Sequence, residues 1–244
     1  MYSDLQFTRR ELLKLSGLAT IGVALWNLGP SLGSLSQAQA TRTISINGGE
    51  EILLRLMNGN KLYVAGKSRH PHQTSARRLE VANGQKPFAV ILGCSDSRVP
   101  PEILFDQGLG DLFVVRVAGN IVDNAVEGSI EYAVEELRVP LIMVLGHEKC
   151  GAVKAAVDVV EKGGQIPGKI ESIINSIKPA VEKVKGKPGD LLENAIDSNV
   201  LMVVEKLKAS RSIIAKFVEE GQLKVVGAKY ELKSGIVRIL TYNL

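Results

Sequence analysis

The chain has 244 residues, 45% hydrophobic and 23% charged, with 30 basic against 26 acidic side chains for a formal charge of +4. This mixture suits a globular protein with one sizeable core and excludes disordered and fibrous classes. Lysines are scattered among glutamates without forming a basic tract, so no nucleic-acid partner is expected.

The chain opens with Thr8-Arg9-Arg10-Glu11-Leu12-Leu13-Lys14, which resembles a twin-arginine export signal. A weakly apolar segment from Leu15 to Leu28 follows, broken by Gly17 and Gly22, and Ala38-Gln39-Ala40 has the small residues of a cleavage site. The apolar stretch is too short and too glycine-interrupted for a transmembrane helix. Residues 1–40 are therefore set apart as an export signal, and residues 41–244 are expected to form the folded domain. An amphipathic N-terminal helix and an uncleaved anchor are the alternatives, and only an uncleaved signal would bring membrane contact. Export implies a bacterial protein of the periplasm, or else a thylakoid-lumen or extracellular one.

In the domain, Glu50 to Val64 has apolar residues at helical spacing, interrupted by Gly59-Asn60, and needs another surface to cover it. His70-Pro71-His72 reads as a surface loop, because Pro71 favours extended backbone and no third metal ligand is near. Gln73 to Ala82 reads as a polar, helix-capable connector. The short apolar run Phe88 to Leu92, closed by Gly93, is a buried strand that delivers Cys94-Ser95-Asp96-Ser97-Arg98 at its carboxyl end, where open α/β sheets bind ligands. Pro100-Pro101-Glu102 starts a short helix. Leu112 to Val117 is a second buried strand, and Ser129 to Leu137 a helix with Ser129 as its cap. Pro140 to Leu145 is a third strand, ending in Gly146-His147-Glu148-Lys149-Cys150-Gly151 before a helix from Ala152 to Val160. Helical periodicity continues over Lys169 to Lys185, Leu191 to Leu207 and Ser210 to Glu220, and Leu223 to Ala228 and Gly235 to Leu240 are two further strands. Strand, helix and strand in this alternation predict an α/β fold: a mostly parallel β-sheet flanked by helices.

Cys94, His147 and Cys150 account for both cysteines of the chain. Two soft thiolates and one imidazole suit Zn2+, and three protein ligands leave a fourth tetrahedral position open. A disulfide between the two cysteines is the alternative in an exported protein.

The run CSDSRVPPE followed by GHEKCGAV closely resembles the β-class carbonic anhydrases, over roughly Thr41 to Leu244. The resemblance implies reversible hydration of carbon dioxide to bicarbonate and a proton by zinc-bound hydroxide. Asp96 and Arg98 match the family's catalytic dyad, the carboxylate orienting the hydroxide and the guanidinium holding the carboxylate ionised. Asp96 becomes a zinc ligand only in the closed, inactive state of one branch. Gln85, Phe113, Gly119 and Tyr132 match residues lining the carbon dioxide pocket in the plant-type branch, part of which comes from the neighbouring subunit, so a homodimer or higher homo-oligomer is implied. The regulated branch builds its bicarbonate effector pocket with a tryptophan, whereas the only tryptophan here is Trp26. That pocket is expected to be absent. Glu148 and Lys149 vary in the family and point away from zinc in it.

Two other functions fit the same residues: hydrolysis of carbon disulfide or carbonyl sulfide, and a non-catalytic zinc or thiol protein. The intact pair Asp96 and Arg98 argues against the second, since metal storage needs neither.

Overall fold

Ala89-Val90-Ile91-Leu92-Gly93 is apolar at every position, the pattern of a strand covered on both faces, and it forms β1 with all five residues buried. The computed structural model describes residues 48–209 and 213–241; the export signal, the expected mature start at Thr41, Trp26 and Ser210 lie outside them. β2 (Leu112–Arg116), β3 (Leu141–His147) and β4 (Lys224–Tyr230) join β1 in one parallel sheet, and β5 (Val237–Ile239) pairs antiparallel with β4. The strand order is β2-β1-β3-β4-β5.

The helices are α1 (Gly48–Val64), α2 (Ser75–Val81), α3 (Pro101–Leu104), α4 (Asn124–Glu135), α5 (Gly151–Lys162), α6 (Ile170–Val184), α7 (Leu191–Ala209) and α8 (Ile213–Glu219). Alternation along the strands sends Val90, Leu92, Ile142 and Val144 to one face, where they pack with side chains of α4, α7 and α8. Ala89, Ile91, Leu141, Met143 and Leu145 face the other way, onto Leu53 and Leu56 of α1 and Leu104 of α3. Leu56 is fully buried there, and truncating such a side chain to alanine costs about 2–5 kcal/mol. A third cluster gathers α5, α6 and the start of α7 around Cys94 and Cys150, so the wall of the candidate site is itself hydrophobic core. Among the described residues, no helix is long and apolar enough to cross a membrane.

Two local expectations are corrected. Gly59-Asn60 does not interrupt α1: a Cβ at Gly59 would lie 1.8 Å from the Phe105 carbonyl oxygen, so glycine there permits close packing on α3. Asn60 is buried and donates to the carbonyls of Leu104 (3.1 Å) and Gly235 (2.9 Å) while accepting from the Val237 N–H (2.9 Å). The segment is thus covered by its own chain. Ser129 is not a cap either, because α4 begins at Asn124, with the Asp123 carboxylate accepting from the Val126 N–H at 2.9 Å. Ser129 lies inside the helix and bonds back to the Ala125 carbonyl.

Candidate metal centre

β1 and β3 are neighbours in register, Gly93 opposite Leu145, so both strands end at the same level of the sheet. Cys94 follows the last residue of β1, His147 is the last of β3, and Cys150 is the N-cap of α5. Residues far apart in the chain are thereby gathered with their ligand atoms within 4.8 Å of one another, and all three are buried. They form the one such group of three among the described residues. The two sulfurs are 4.0 Å apart.

His147 is fully buried, and its Nδ1 donates to the Glu148 carbonyl at 2.9 Å. A carbonyl can only accept, so in the neutral ring Nε2 carries the lone pair. That nitrogen has no hydrogen-bond partner, and a buried acceptor left so costs about 1–3 kcal/mol. The thiols are also coupled. The S–H of Cys150 bonded to Cys94, helped by His147 and the Gly119 N–H, pulls Cys94 down to about 4 against the opposing effect of burial. Bonding to the Cys94 thiolate, with burial, pushes Cys150 above its ordinary range. Burial alone would lower the His147 ring, but the thiolate beside it holds it above its usual value. Two sulfurs and an imidazole, all buried and with their ligand atoms within 4.8 Å of one another, are a donor set that fits a soft divalent cation.

Asp96 lies at the edge of this group, its Oδ2 3.8 Å from His147 Nε2. Arg98 grips it with two parallel bonds, Nε to Oδ1 at 2.9 Å and a terminal nitrogen to Oδ2 at 2.8 Å, and the Arg98 backbone N–H adds a third at 2.9 Å. These bonds hold the Asp96 carboxyl well below the usual carboxylate range.

Two contributors escaped the sequence reading. Arg116, the last residue of β2, donates from Nε to the Cys94 carbonyl at 2.9 Å and from a terminal nitrogen to the Asp96 carbonyl, so one guanidinium spans the loop that carries a ligand and the dyad. An arginine ending a buried apolar strand was the available signal. Glu148 does point away from the metal group, but its carboxylate accepts from the Leu232 N–H at 3.0 Å and its own N–H donates to Tyr230 O at 3.0 Å. These bonds anchor the peptide whose carbonyl orients His147.

Of the four expected pocket residues, only Gly119 reaches its own chain's metal group, its N–H donating to Cys94 Sγ at 3.3 Å. Phe113 is in register with Val90, which puts it about 13 Å below Cys94 along the strands. It pairs with Tyr132, ring centroids 6.3 Å apart, and Tyr132 is 49% exposed. Gln85 is exposed before β1 begins. His70 and His72 are in a loop, as expected, and His72 Nδ1 bonds to Asp111 at 2.7 Å.

A parallel sheet whose carboxyl edge brings two cysteines and a histidine to one point, beside an arginine-held carboxylate, defines an α/β protein with a group that could hold a metal ion. The chain belongs to the β-class carbonic anhydrases: the family model described as carbonic anhydrase matches residues 89–237. It is 45% identical over 180 residues to carbonic anhydrase 2 of Mycobacterium tuberculosis, covering 74% of this chain and 87% of that protein. It is 43% identical over 189 residues to the carbonic anhydrase of Mycolicibacterium smegmatis, covering 77% and 91%. Among solved structures it is similar to a tetrameric β-carbonic anhydrase of Sordaria macrospora (26% identity, TM-score 0.62, 78% and 97% covered). The Coccomyxa β-carbonic anhydrase in complex with acetazolamide is also similar (29% identity, TM-score 0.59, 78% and 85% covered). The activity is the reversible hydration of carbon dioxide.

Proposed function

We propose that this carbonic anhydrase works with one zinc ion per chain, held by Cys94, His147 and Cys150, and with Asp96 and Arg98 as its catalytic dyad. The observation that carries the reading is geometric: the ligand atoms of Cys94, His147 and Cys150 lie within 4.8 Å of one another, all three residues are buried, and His147 Nε2 has no hydrogen-bond partner. Zinc, when bound, supplies the Lewis acid that makes water a nucleophile near neutral pH. Ionised Asp96 can only accept hydrogen bonds, so it takes one from the nucleophilic water and turns the remaining lone pair toward carbon dioxide. Arg98 keeps Asp96 charged and in place, and Arg116 and Glu148 hold the two loops that carry the dyad and the ligands. Bicarbonate leaves and a proton passes to buffer.

The doubly bonded Asp96 supports a site that stays open into mildly acidic pH, without regulation by bicarbonate. Phe113 stands about 13 Å along the strands from Cys94, and Gln85 and Tyr132 are exposed, which supports their use in the pocket of a second copy and a homodimer as the smallest active unit. Residues 1–40 carry the twin-arginine-like pattern and the small-residue cleavage site, and on that pattern the protein is exported to the periplasm, with 41–244 as the catalytic domain.

Stopped-flow hydration of carbon dioxide, run beside a carbon disulfide assay on protein of measured zinc content, tests the reading. Turnover that tracks zinc with carbon dioxide and is absent with carbon disulfide is expected. Metal-independent turnover would overturn it, and turnover confined to carbon disulfide would move the protein to the hydrolase reading.

A further inference from the structure

α7 turns a buried stripe inward through Ile196, Val200, Val203 and Leu207, and Asn199 lies on that stripe with only 3% of its surface exposed. A carboxamide at such a position is unfavourable unless it is hydrogen-bonded. Its Nδ2 donates to the carbonyl of Gly119 at 2.9 Å, a buried bond across 80 residues of sequence. Gly119 is the residue whose N–H donates to Cys94 Sγ at 3.3 Å. One side chain on a scaffold helix is therefore a single residue removed from a metal-directed sulfur.

The turn between them needs holding. Gly119 has φ +72° and the next residue, Asn120, φ +45°, two successive left-handed conformations of which the second is adopted by a non-glycine residue. On its other side the turn presses against α5 and α6: a Cβ at Gly119 would lie 2.6 Å from Ile177 Cδ1 and 3.2 Å from Ala152 Cβ. Packing restrains Gly119 from one side, and Asn199 fixes its carbonyl from α7. In one residue with set φ and ψ, fixing the carbonyl also fixes where the N–H points.

We propose that Asn199 is a positioning residue of the metal centre: through Gly119 it aims the amide that bonds Cys94 Sγ, and so sets how firmly the centre keeps its metal. The proposal rests on the zinc reading above. A group hydrogen-bonded directly to a metal ligand, as the Gly119 N–H is to Cys94, is typically worth about 10- to 100-fold in metal affinity or activity, and Asn199 acts through that group.

The test uses the full chain as the holoprotein. Asn199→Leu keeps the branched outline and removes the donor, and Asn199→Asp keeps the shape but puts an acceptor where the donor was. Val203→Ala, on the same helix and the same buried stripe, loosens the fold without touching the turn. Two quantities are read: the rate of zinc transfer to a chelator in excess, and the thiolate-to-cobalt charge-transfer band of the cobalt-substituted protein. Both Asn199 variants are expected to release zinc about 10- to 100-fold faster than wild type and to shift the band, with Val203→Ala at the wild-type rate and band. Wild-type release and band in whichever Asn199 variant folds would overturn the proposal, as would equal acceleration in Val203→Ala. A wild-type chain that takes up cobalt but holds no zinc would refute the zinc reading instead, and the Asn199 comparison would still read out on cobalt.

Discussion

The two ends of the sheet both bury charged and metal-capable side chains, yet in opposite states. At the amino end, Asp111 is 4% exposed and accepts from His72 Nδ1 at 2.7 Å and the Gly108 N–H at 2.9 Å, with Arg55 and Arg77 at 3.8 and 3.9 Å. Arg55 also stacks over the Phe88 ring at 3.7 Å. Each oxygen of that carboxylate has a hydrogen-bond partner from its own chain, and two arginines balance its charge. At the carboxyl end, His147 Nε2 is buried without a hydrogen-bond partner, two free sulfurs lie 4.0 Å apart, and Arg98 grips the Asp96 carboxylate from one side. Burial with full satisfaction is architecture, and burial with convergent unsatisfied groups is a site.

The comparison breaks first, and most severely, at the ligands. Cys94→Ser, Cys150→Ser and His147→Ala should each fall from about one zinc per chain to about a tenth or less and lose measurable hydration, as metal analysis and stopped-flow on the same samples will tell. Full zinc in any of them would remove that residue from the ligand set. Next comes the dyad. Asp96→Asn should retain zinc and lower kcat on the order of 10²- to 10⁴-fold, and Arg98→Ala about 10- to 100-fold.

Arg98→Ala should also change the pH profile, in a direction fixed by the Asp96 shift. Its folded pKa is depressed, chiefly by the Arg98 side chain, so the ionised, dyad-forming state is present above the ordinary carboxylate value and is lost only as pH falls through the lowered one. Without Arg98 the loss moves up toward about 3.9 and Asp96 is freed to approach the metal, so the variant should show a steeper acid limb than wild type. Superimposable profiles would return the pair to an ordinary ion pair.

Smaller effects sharpen the contrast. Glu148→Ala should loosen zinc about 10-fold by releasing the carbonyl that orients His147, with Glu148→Gln, which still accepts from Leu232, near wild type in a chelator competition. At the amino end, His72→Ala should leave zinc content and kcat unchanged and cost about 1 kcal/mol, a fall in Tm of roughly 2–4 °C by calorimetry. Loss of zinc in His72→Ala would mean that the two ends are not separate.

What the sequence determined by itself was everything encoded by short-range pattern. Strands announce themselves as unbroken apolar runs, so β1, β2 and β3 were legible to within a residue or two, although β2, expected to be buried, is only half-buried because it is an edge strand. The candidate ligands and the Asp96–Arg98 pair stood out because they sit directly at the ends of two of those runs. Spacing did not show that the cysteines meet: that follows from β3 pairing with β1, a long-range choice that brings Gly93 level with Leu145. The tertiary structure alone decided which polar residues are satisfied. Asn60 looked like a helix break and is a buried bracket, while Ser129 looked like a cap and is interior to α4. No short pattern spells out the roles of Arg116, Glu148 and Asn199, because each acts on a backbone group supplied by a distant stretch of chain. Such bonds depend on where a carbonyl or an N–H points after packing, and neighbouring residues in sequence do not encode that direction.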